Sequence, residues 1–286
     1  MDPSKHIRDS FRFAWRHKLL WPAAFFLNPS IYGIRFFNTV TDPTKGFPWH
    51  EVLRVGFWLM VVGFFLLFVV ALVNPLLVLV VKDETVGRRR TLGEVIPNAM
   101  DFYWRCYGLI WVFALAGILA MGIAALPAFF AFRASIVLGV LVSMPLLGIL
   151  VLLGAAGAVI NNYSVRFIAL ENTSIADSIS QGISLFRHNL GKSVLLLIFT
   201  LFIPLGIGFA ISMILLPLEF ILALPKFLGE NFIFDVSTAA AVILMVIISV
   251  IVSGYTGLFS SSLWTLGFLD LQPPLKSEVS FVQAQE

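Results

Sequence analysis

A few polar side chains interrupt the long apolar stretches of this chain, and their spacing points to a possible binding site. Asn74, Asn161 and Ser260 each lie ten residues before an acidic residue that ends such a stretch. Unpaired polar groups are costly in hydrocarbon, so these three side chains are expected to face the interior of a helix bundle. There they form either a polar layer lining a cavity for a substrate or lipid headgroup, or hydrogen bonds between helices.

Glu219 is a further candidate, because it lies in the apolar segment LLPLEFILALP. A carboxylate inside a membrane is by default a functional hypothesis. Arg133 or Arg35 would be its partner, and a structural ion pair or a simple helix-end residue is the alternative. Glu219 is therefore a candidate ligand-binding residue beside the polar layer.

The sequence offers little for catalysis or for a cofactor. It has no glycine-rich phosphate loop after a strand and no GxSxG motif. Its histidines form no i, i+4 pair with another ligand residue and its single cysteine is Cys106, so we expect no catalytic residue, no metal and no cofactor. Glu84, Glu171 and Asp270 could form a carboxylate ring for an enzyme acting on lipid, but no histidine is placed to join them.

The elements that position these residues follow from composition. The 286 residues are 59% hydrophobic and only 12% charged, whereas a soluble domain carries about a quarter charged residues. A membrane-spanning helix needs about 20 apolar residues. We therefore predict an all-α integral membrane protein with about six transmembrane helices, at residues 19–37, 53–81, 107–132, 134–160, 193–224 and 237–269. Asn28-Pro29-Ser30 interrupts the first stretch, for which a re-entrant or interfacial hairpin is the alternative.

Three amphipathic segments precede pairs of apolar stretches and indicate an internal repeat. Asp2-Pro3 can open the first helix, while Thr91 with Glu94 and Ser174 with Asp177 have capping-box spacing. We predict three units, each an interfacial amphipathic helix followed by a transmembrane hairpin. The units are about 1–89, 90–172 and 173–270, with 271–286 as a short cytoplasmic tail. Shared physics of basic helices beside membranes, without a true repeat, is the alternative.

Small residues at near-helical spacing predict close packing between helices. One stripe runs along the sixth apolar stretch, and a small-xxx-small pair lies on the fourth. The residues are Ser249, Ser253, Thr256, Gly257 and Ser260, and Gly154 with Ala158.

The distribution of basic residues predicts the orientation. Fourteen of the 19 Lys and Arg residues, Arg166 among them, fall on the side that holds the amphipathic helices and the C-terminus. This positive-inside pattern places both termini in the cytoplasm of a multi-pass plasma (inner) membrane protein. Arg88, Arg89 and Arg90 form the densest cluster, which either only determines topology or binds anionic headgroups. A net charge of +3 is too weak to indicate nucleic acid.

Two outer loops offer modest surfaces for a protein partner, with Trp49 in one and Phe227 and Phe232 in the other. Aromatic side chains of this kind are common where proteins dock. They are the candidate partner-docking residues.

The segments RFIALENTSIADSISQGISLFRHNLGKS and SSSLWTLGFLDL resemble a broad class of prokaryotic six-helix membrane proteins of unknown function. That class is similar to the membrane domain fused to some bacterial glycerophosphodiester phosphodiesterases. The resemblance implies a bacterial or archaeal plasma-membrane protein. The paired carboxylates and histidines of that family's catalytic domain have no counterpart here, so its activity is not carried over.

Three functions remain open from the sequence. The first is a non-enzymatic scaffold or accessory subunit of a membrane complex, favoured by the missing catalytic motifs and the short loops. The second is a transporter or lipid-handling protein with a polar cavity between the repeats. The third, an enzyme acting on lipid, has only the carboxylates to support it. A polar, water-accessible cavity would favour the second, and a packed interior the first.

Overall fold

Nine α-helices and one short 3-10 turn make up almost all of the chain that the structure describes. The structure is a computed structural model, and it describes residues 3–27, 49–88, 91–228 and 231–272, without the side chains of 49–56, 58–60, 62, 92, 214–243 and 245–246. These ranges contain no strand. The elements are α1 (Pro3–Arg16), the 3-10 turn (Lys18–Leu20), α2 (Trp21–Phe25), α3 (Trp49–Thr85), α4 (Leu92–Asp101), α5 (Tyr103–Ala134), α6 (Ile136–Glu171), α7 (Ile175–His188), α8 (Leu190–Leu228) and α9 (Asn231–Leu271).

Five helical segments of the described residues are long and apolar enough to cross a membrane. They are Gly63–Thr85, Gly93–Ala134, Ile136–Glu171, Leu190–Met213 and Ile247–Leu271. The prediction of an all-α, multi-pass membrane protein is thereby confirmed. The predicted first span, 19–37, is described only as far as Leu27, where the 3-10 turn and α2 occupy it, and its remainder lies outside the described residues.

The three amphipathic segments form the separate helices α1, α4 and α7. At α7 the N-cap half of the predicted capping box forms: the Asp177 N–H donates to Ser174 Oγ at 3.2 Å, while the Asp177 carboxylate accepts from the Ser174 hydroxyl at 2.6 Å. Helix α4 begins directly after Thr91, as predicted, but the predicted capping hydrogen bond does not form. The Thr91 hydroxyl donates to the Glu94 carboxylate at 3.0 Å and accepts no backbone N–H of the helix.

Helix α9 is the central element of the described bundle. Of the apolar core of its span, 61% is buried inside the protein, against 6% for the span of α6. It contacts α1, α2, α3, α6 and α8. Small side chains along its C-terminal half, including Ser253, Thr256 and Ser262, allow this crowding, and all three are buried.

A close helix crossing joins α2 to α9 through two glycines. A Cβ at Gly254 would lie 2.8 Å from the carbonyl carbon of Trp21, and a Cβ at Gly257 would lie 3.1 Å from that of Ala24. The predicted packing role of the small residues therefore holds at Gly257. The predicted pair on α6 does not pack in this way, because a Cβ at Gly154 would meet no atom within 4 Å.

Helices α5 and α6 pack as a peripheral hairpin, and the half next to its turn at Ser135, here called the outer half, leaves most of its apolar surface exposed. Leu119, Phe130, Leu141 and Leu152 are among its exposed side chains. In a membrane such a surface faces lipid or another protein chain. The C-terminal half of α6 is more buried, because α7 packs on it at Gly182 and α9 packs beside it.

Candidate functional site

A polar cavity of about 360 Å³ lies where α3, α6, α8 and α9 meet. Its apolar wall is formed by Leu27 after α2, by Val70 and by Trp264. Its polar wall comes from all four helices: Asn74 on α3, Asn161, Asn162 and Arg166 on α6, Thr200 on α8, and Ser260 and Ser261 on α9. Polar residues from four apolar helices thus converge on one space inside the bundle.

The structure brings together the three residues of the predicted polar layer. Asn74, Asn161 and Ser260 come from three different helices, are each half-buried, and line this same cavity. Each lies ten residues before an acidic residue, a separation of about 15 Å along a helix at 1.5 Å per residue. Their common depth in the three helices explains why they meet. Their role in binding a ligand stays a prediction.

Arg166 is the charged residue of the cavity wall, and its side chain is only 3% exposed. Its Nη1 donates to the Asn162 carbonyl at 2.6 Å and to Asn162 Oδ1 at 3.1 Å, and its Nη2 donates to the Ser261 carbonyl at 3.1 Å. Long helical side chains point back toward the N-terminus, so Arg166 reaches the residue four positions earlier. All of these acceptors are neutral, and among the described residues no carboxylate pairs with the guanidinium.

Several polar atoms of the cavity residues have no hydrogen-bond partner. Asn161 Oδ1, Arg166 Nε and Ser261 Oγ are all buried and unpaired. Buried polar atoms are nearly always hydrogen-bonded, so unpaired ones require an explanation such as a bound ligand or water. Asn162 and Thr200 differ, because Asn162 Nδ2 donates to the Ala158 carbonyl and Thr200 Oγ1 to the Leu196 carbonyl. The unpaired groups are concentrated on α6 and α9.

The buried Tyr163 anchors α6 beside the cavity. Its hydroxyl hydrogen-bonds Ser193 Oγ on α8 at 2.8 Å, and its ring meets that of Trp264 edge-on at 5.5 Å between centroids. Both contacts fix the rotation of α6 against its neighbours. Asn161 and Arg166, close to Tyr163 in sequence, are therefore held at defined positions in the wall.

The three acidic residues that end the helices have separate partners. Glu84 accepts from His17 at 2.7 Å and lies 3.6 Å from Arg16, Asp270 pairs with His6 at 3.3 Å, and Glu171 accepts from Gln272. The expectation that no histidine joins these carboxylates is wrong, because two histidines of the α1 region do so. Within the described residues, no three His, Cys, Asp or Glu side chains gather where a metal ion could bind.

Of the other predicted site residues, the structure describes the side chain of Arg88 alone, and it does not line the cavity. Arg88 is exposed just after α3, and Arg89 and Arg90 lie outside the described residues. The side chains of Glu219, Trp49, Phe227 and Phe232 also lie outside the described part, so the ligand and partner roles predicted for them stay predictions.

A search of protein families, of curated proteins and of solved structures finds no match to this chain. The resemblance to the membrane domain of glycerophosphodiester phosphodiesterases stays a prediction.

Sequence reasoning missed Arg166, Asn162, Thr200 and Ser261 as polar residues of the cavity. The orientation count treated Arg166 as one more basic residue at the membrane surface, whereas its side chain is buried. The available signal was the pattern Asn-Asn-x-x-x-Arg at 161–166. It follows the apolar stretch 134–160 and precedes the apolar residues 167–170. Thr200 gave none, because a threonine can bond its own helix, as this one does.

Proposed function

We propose that this chain is a non-enzymatic multi-pass membrane protein that holds a polar ligand in the cavity between α3, α6, α8 and α9. The ligand is a lipid headgroup or a small solute, so the protein handles or transports it. The observation that carries the proposal is the meeting of Asn74, Asn161 and Ser260 with the buried Arg166 around one space. This reverses the order of the functions that the sequence alone favoured.

The size and chemistry of the cavity support this function. Its volume of about 360 Å³ falls in the range of roughly 300–1,000 Å³ that is usual for small-molecule sites. Polar groups inside a membrane bundle face its interior or a water-filled cavity and commonly mark a substrate pathway. A bundle that served only to dock partners would need no such convergence and would more simply be packed with apolar side chains.

Mild extraction followed by native mass spectrometry tests the proposal. Asn161→Leu replaces the amide by an apolar side chain of similar size and should remove or weaken a ligand that the wild-type chain retains. Asn98→Leu makes the same exchange at an exposed position of α4 and is the matched control. Equal ligand retention by the two variants would contradict a ligand site in this cavity.

We further propose a topology of six spans in three parallel units, with both termini in the cytoplasm of a prokaryotic plasma membrane. Two sets of contacts support the repeat: the residues at equivalent positions line one cavity, and α1 pairs with the ends of α3 and α9 through Arg16–Glu84 and His6–Asp270. The amphipathic helices α1, α4 and α7 would then lie at the cytoplasmic surface of the membrane. There, together with Arg88, Arg89 and Arg90, they would contact anionic headgroups.

Labelling of single cysteines in intact cells tests this orientation. The buried Cys106 should not react with a membrane-impermeant maleimide. With Arg133→Cys the label should attach from outside, and with Arg88→Cys only after permeabilisation; both positions are exposed. The reverse pattern would refute the orientation.

A scaffold or accessory-subunit function is the second candidate, and the exposed outer half of the α5–α6 hairpin favours it. Large apolar side chains such as Leu141 and Leu152 are left uncovered there. A protein that co-purifies in fixed stoichiometry, and is lost when this surface is changed to Ala, would support this function. A homogeneous preparation without any partner would contradict it.

A further inference from the structure

We infer that the cavity binds a phosphate group carrying one negative charge, with Arg166 as its counter-ion. This inference rests on the proposed ligand cavity and names the class of its ligand. Arg166 is a charged residue whose side chain is almost fully removed from solvent, in a segment apolar enough to span a membrane. Charged groups in such places face a partner or a cavity, and mark the path of an ion or substrate.

The partners that the protein itself supplies to Arg166 do not neutralise it. Two backbone carbonyls and one amide oxygen accept its hydrogen bonds, and none of these groups is charged. The acidic residue nearest to it on α6, Glu171, instead accepts from Gln272. Within the described residues the positive charge is thus held without a counter-ion, beside an open space.

The hydrogen-bonding capacity left on the guanidinium suits an oxyanion. Arginine has five N–H donors in a planar fork, and Nε is buried without an acceptor. Nε and Nη2 lie on the same edge of the fork, and Nη2 carries a second hydrogen beyond its bond to Ser261. Two oxygens of one phosphate can accept from such an edge together, which is the geometry for which proteins prefer arginine over lysine.

Neutral donors around the guanidinium match the remaining phosphate oxygens. The Ser261 hydroxyl is unpaired and can rotate, and the Asn161 amide, whose oxygen is unpaired, presents its NH₂ group after a flip. One guanidinium with such neutral donors balances a single negative charge. A phosphodiester, as in a phospholipid headgroup, and the singly charged form of free phosphate share this chemistry.

Binding of defined phosphate compounds to the delipidated full chain in non-ionic micelles tests the inference. The probes are short-chain phosphatidylglycerol and phosphatidylcholine, the corresponding diacylglycerol without phosphate, sodium phosphate and sodium acetate. Wild-type protein should bind a phosphate compound and neither diacylglycerol nor acetate. Preference for the lipids identifies a headgroup as the source, and equal binding of sodium phosphate identifies free phosphate; both results support the inference.

Arg166→Gln should weaken phosphate binding by about tenfold or more, because hydrogen bonds to charged groups are the stronger kind. Arg166→Lys keeps the positive charge but lacks the planar fork of N–H donors, so its phosphate affinity should lie between those of the wild type and Arg166→Gln. Arg105→Gln is the matched control, since Arg105 also donates to backbone carbonyls, those of Asn172 and Thr173, but lies outside the cavity.

Phosphate affinity that is unchanged in folded Arg166→Gln would overturn the inference. If that variant does not fold, unchanged affinity in Arg166→Lys would overturn it. Arg166 would then be only a structural link between α6 and α9. Binding of diacylglycerol or acetate as tight as that of phosphate would overturn it as well. If Asn161→Leu then lost the binding of diacylglycerol or acetate, that loss would still support a ligand site in the cavity. The phosphate inference and the proposed ligand cavity can therefore fail separately.

Discussion

Substitution of Gly254 by Ala provides the most direct test of how α2 is seated on the central helix. A Cβ at this position would lie 2.8 Å from the carbonyl carbon and 2.9 Å from the Cβ of Trp21, and would also press on the carbonyl oxygen. Two of these three atoms belong to the backbone of α2, so no rotamer change relieves the contact. The α2 segment must therefore shift away from α9.

The expected magnitude follows from a comparison with Gly206→Ala on α8. A Cβ at Gly206 meets no atom within 4 Å, so that variant should gain the helix preference of Ala over Gly, about 0.5–1 kcal/mol. Gly254→Ala has the same gain but adds the overpacking cost of about 1–3 kcal/mol. The free energies of unfolding of the two variants should therefore differ by about 1–3 kcal/mol, with Gly254→Ala the less stable.

Reversible unfolding in mixed micelles, with an SDS titration followed by circular dichroism, measures this difference. Gly257→Ala should resemble Gly254→Ala, because its Cβ would lie 3.1 Å from the carbonyl carbon of Ala24 and still nearer to the carbonyl oxygen. Because Leu27 lies two residues after the end of α2 and lines the cavity, both variants should also alter ligand retention. Equal stability of Gly254→Ala and Gly206→Ala would refute the close crossing of α2 and α9.

Three smaller effects are expected elsewhere in the chain. Ser174→Ala removes the hydroxyl that caps α7 and should cost about 1 kcal/mol in the same SDS titration; no loss would contradict a capping role. Tyr163→Phe leaves the hydroxyl of Ser193 without its buried partner and should cost about 1–3 kcal/mol, which the additional change of Ser193 to Ala should partly restore. His17→Ala removes a partly exposed pairing with Glu84 and should cost less than about 1 kcal/mol, so a larger loss of stability would refute a minor role for this pair.

The sequence by itself determined the long apolar helices and the positions of the polar residues along them. Apolar length predicts the long helices, and Ser174 with Asp177 marks the start of α7, where Ser174 is the N-cap. The ten-residue spacing of Asn74, Asn161 and Ser260 from the helix ends predicted a common layer, and all three line one cavity. These features depend on hydropathy, capping and helical rise, which act within one segment and can be read along the chain.

The tertiary structure alone decided which faces of the helices meet. Arg166 reads as an ordinary basic residue at the end of an apolar stretch, and only the packing of α9 against α6 places the Ser261 carbonyl beside it. Gly254 and Gly154 look alike in sequence, yet α2 crosses one and nothing approaches the other. Every apolar helix has several faces equally able to contact lipid or protein. The rotation of each helix is therefore set by contacts between distant segments, which no local pattern specifies.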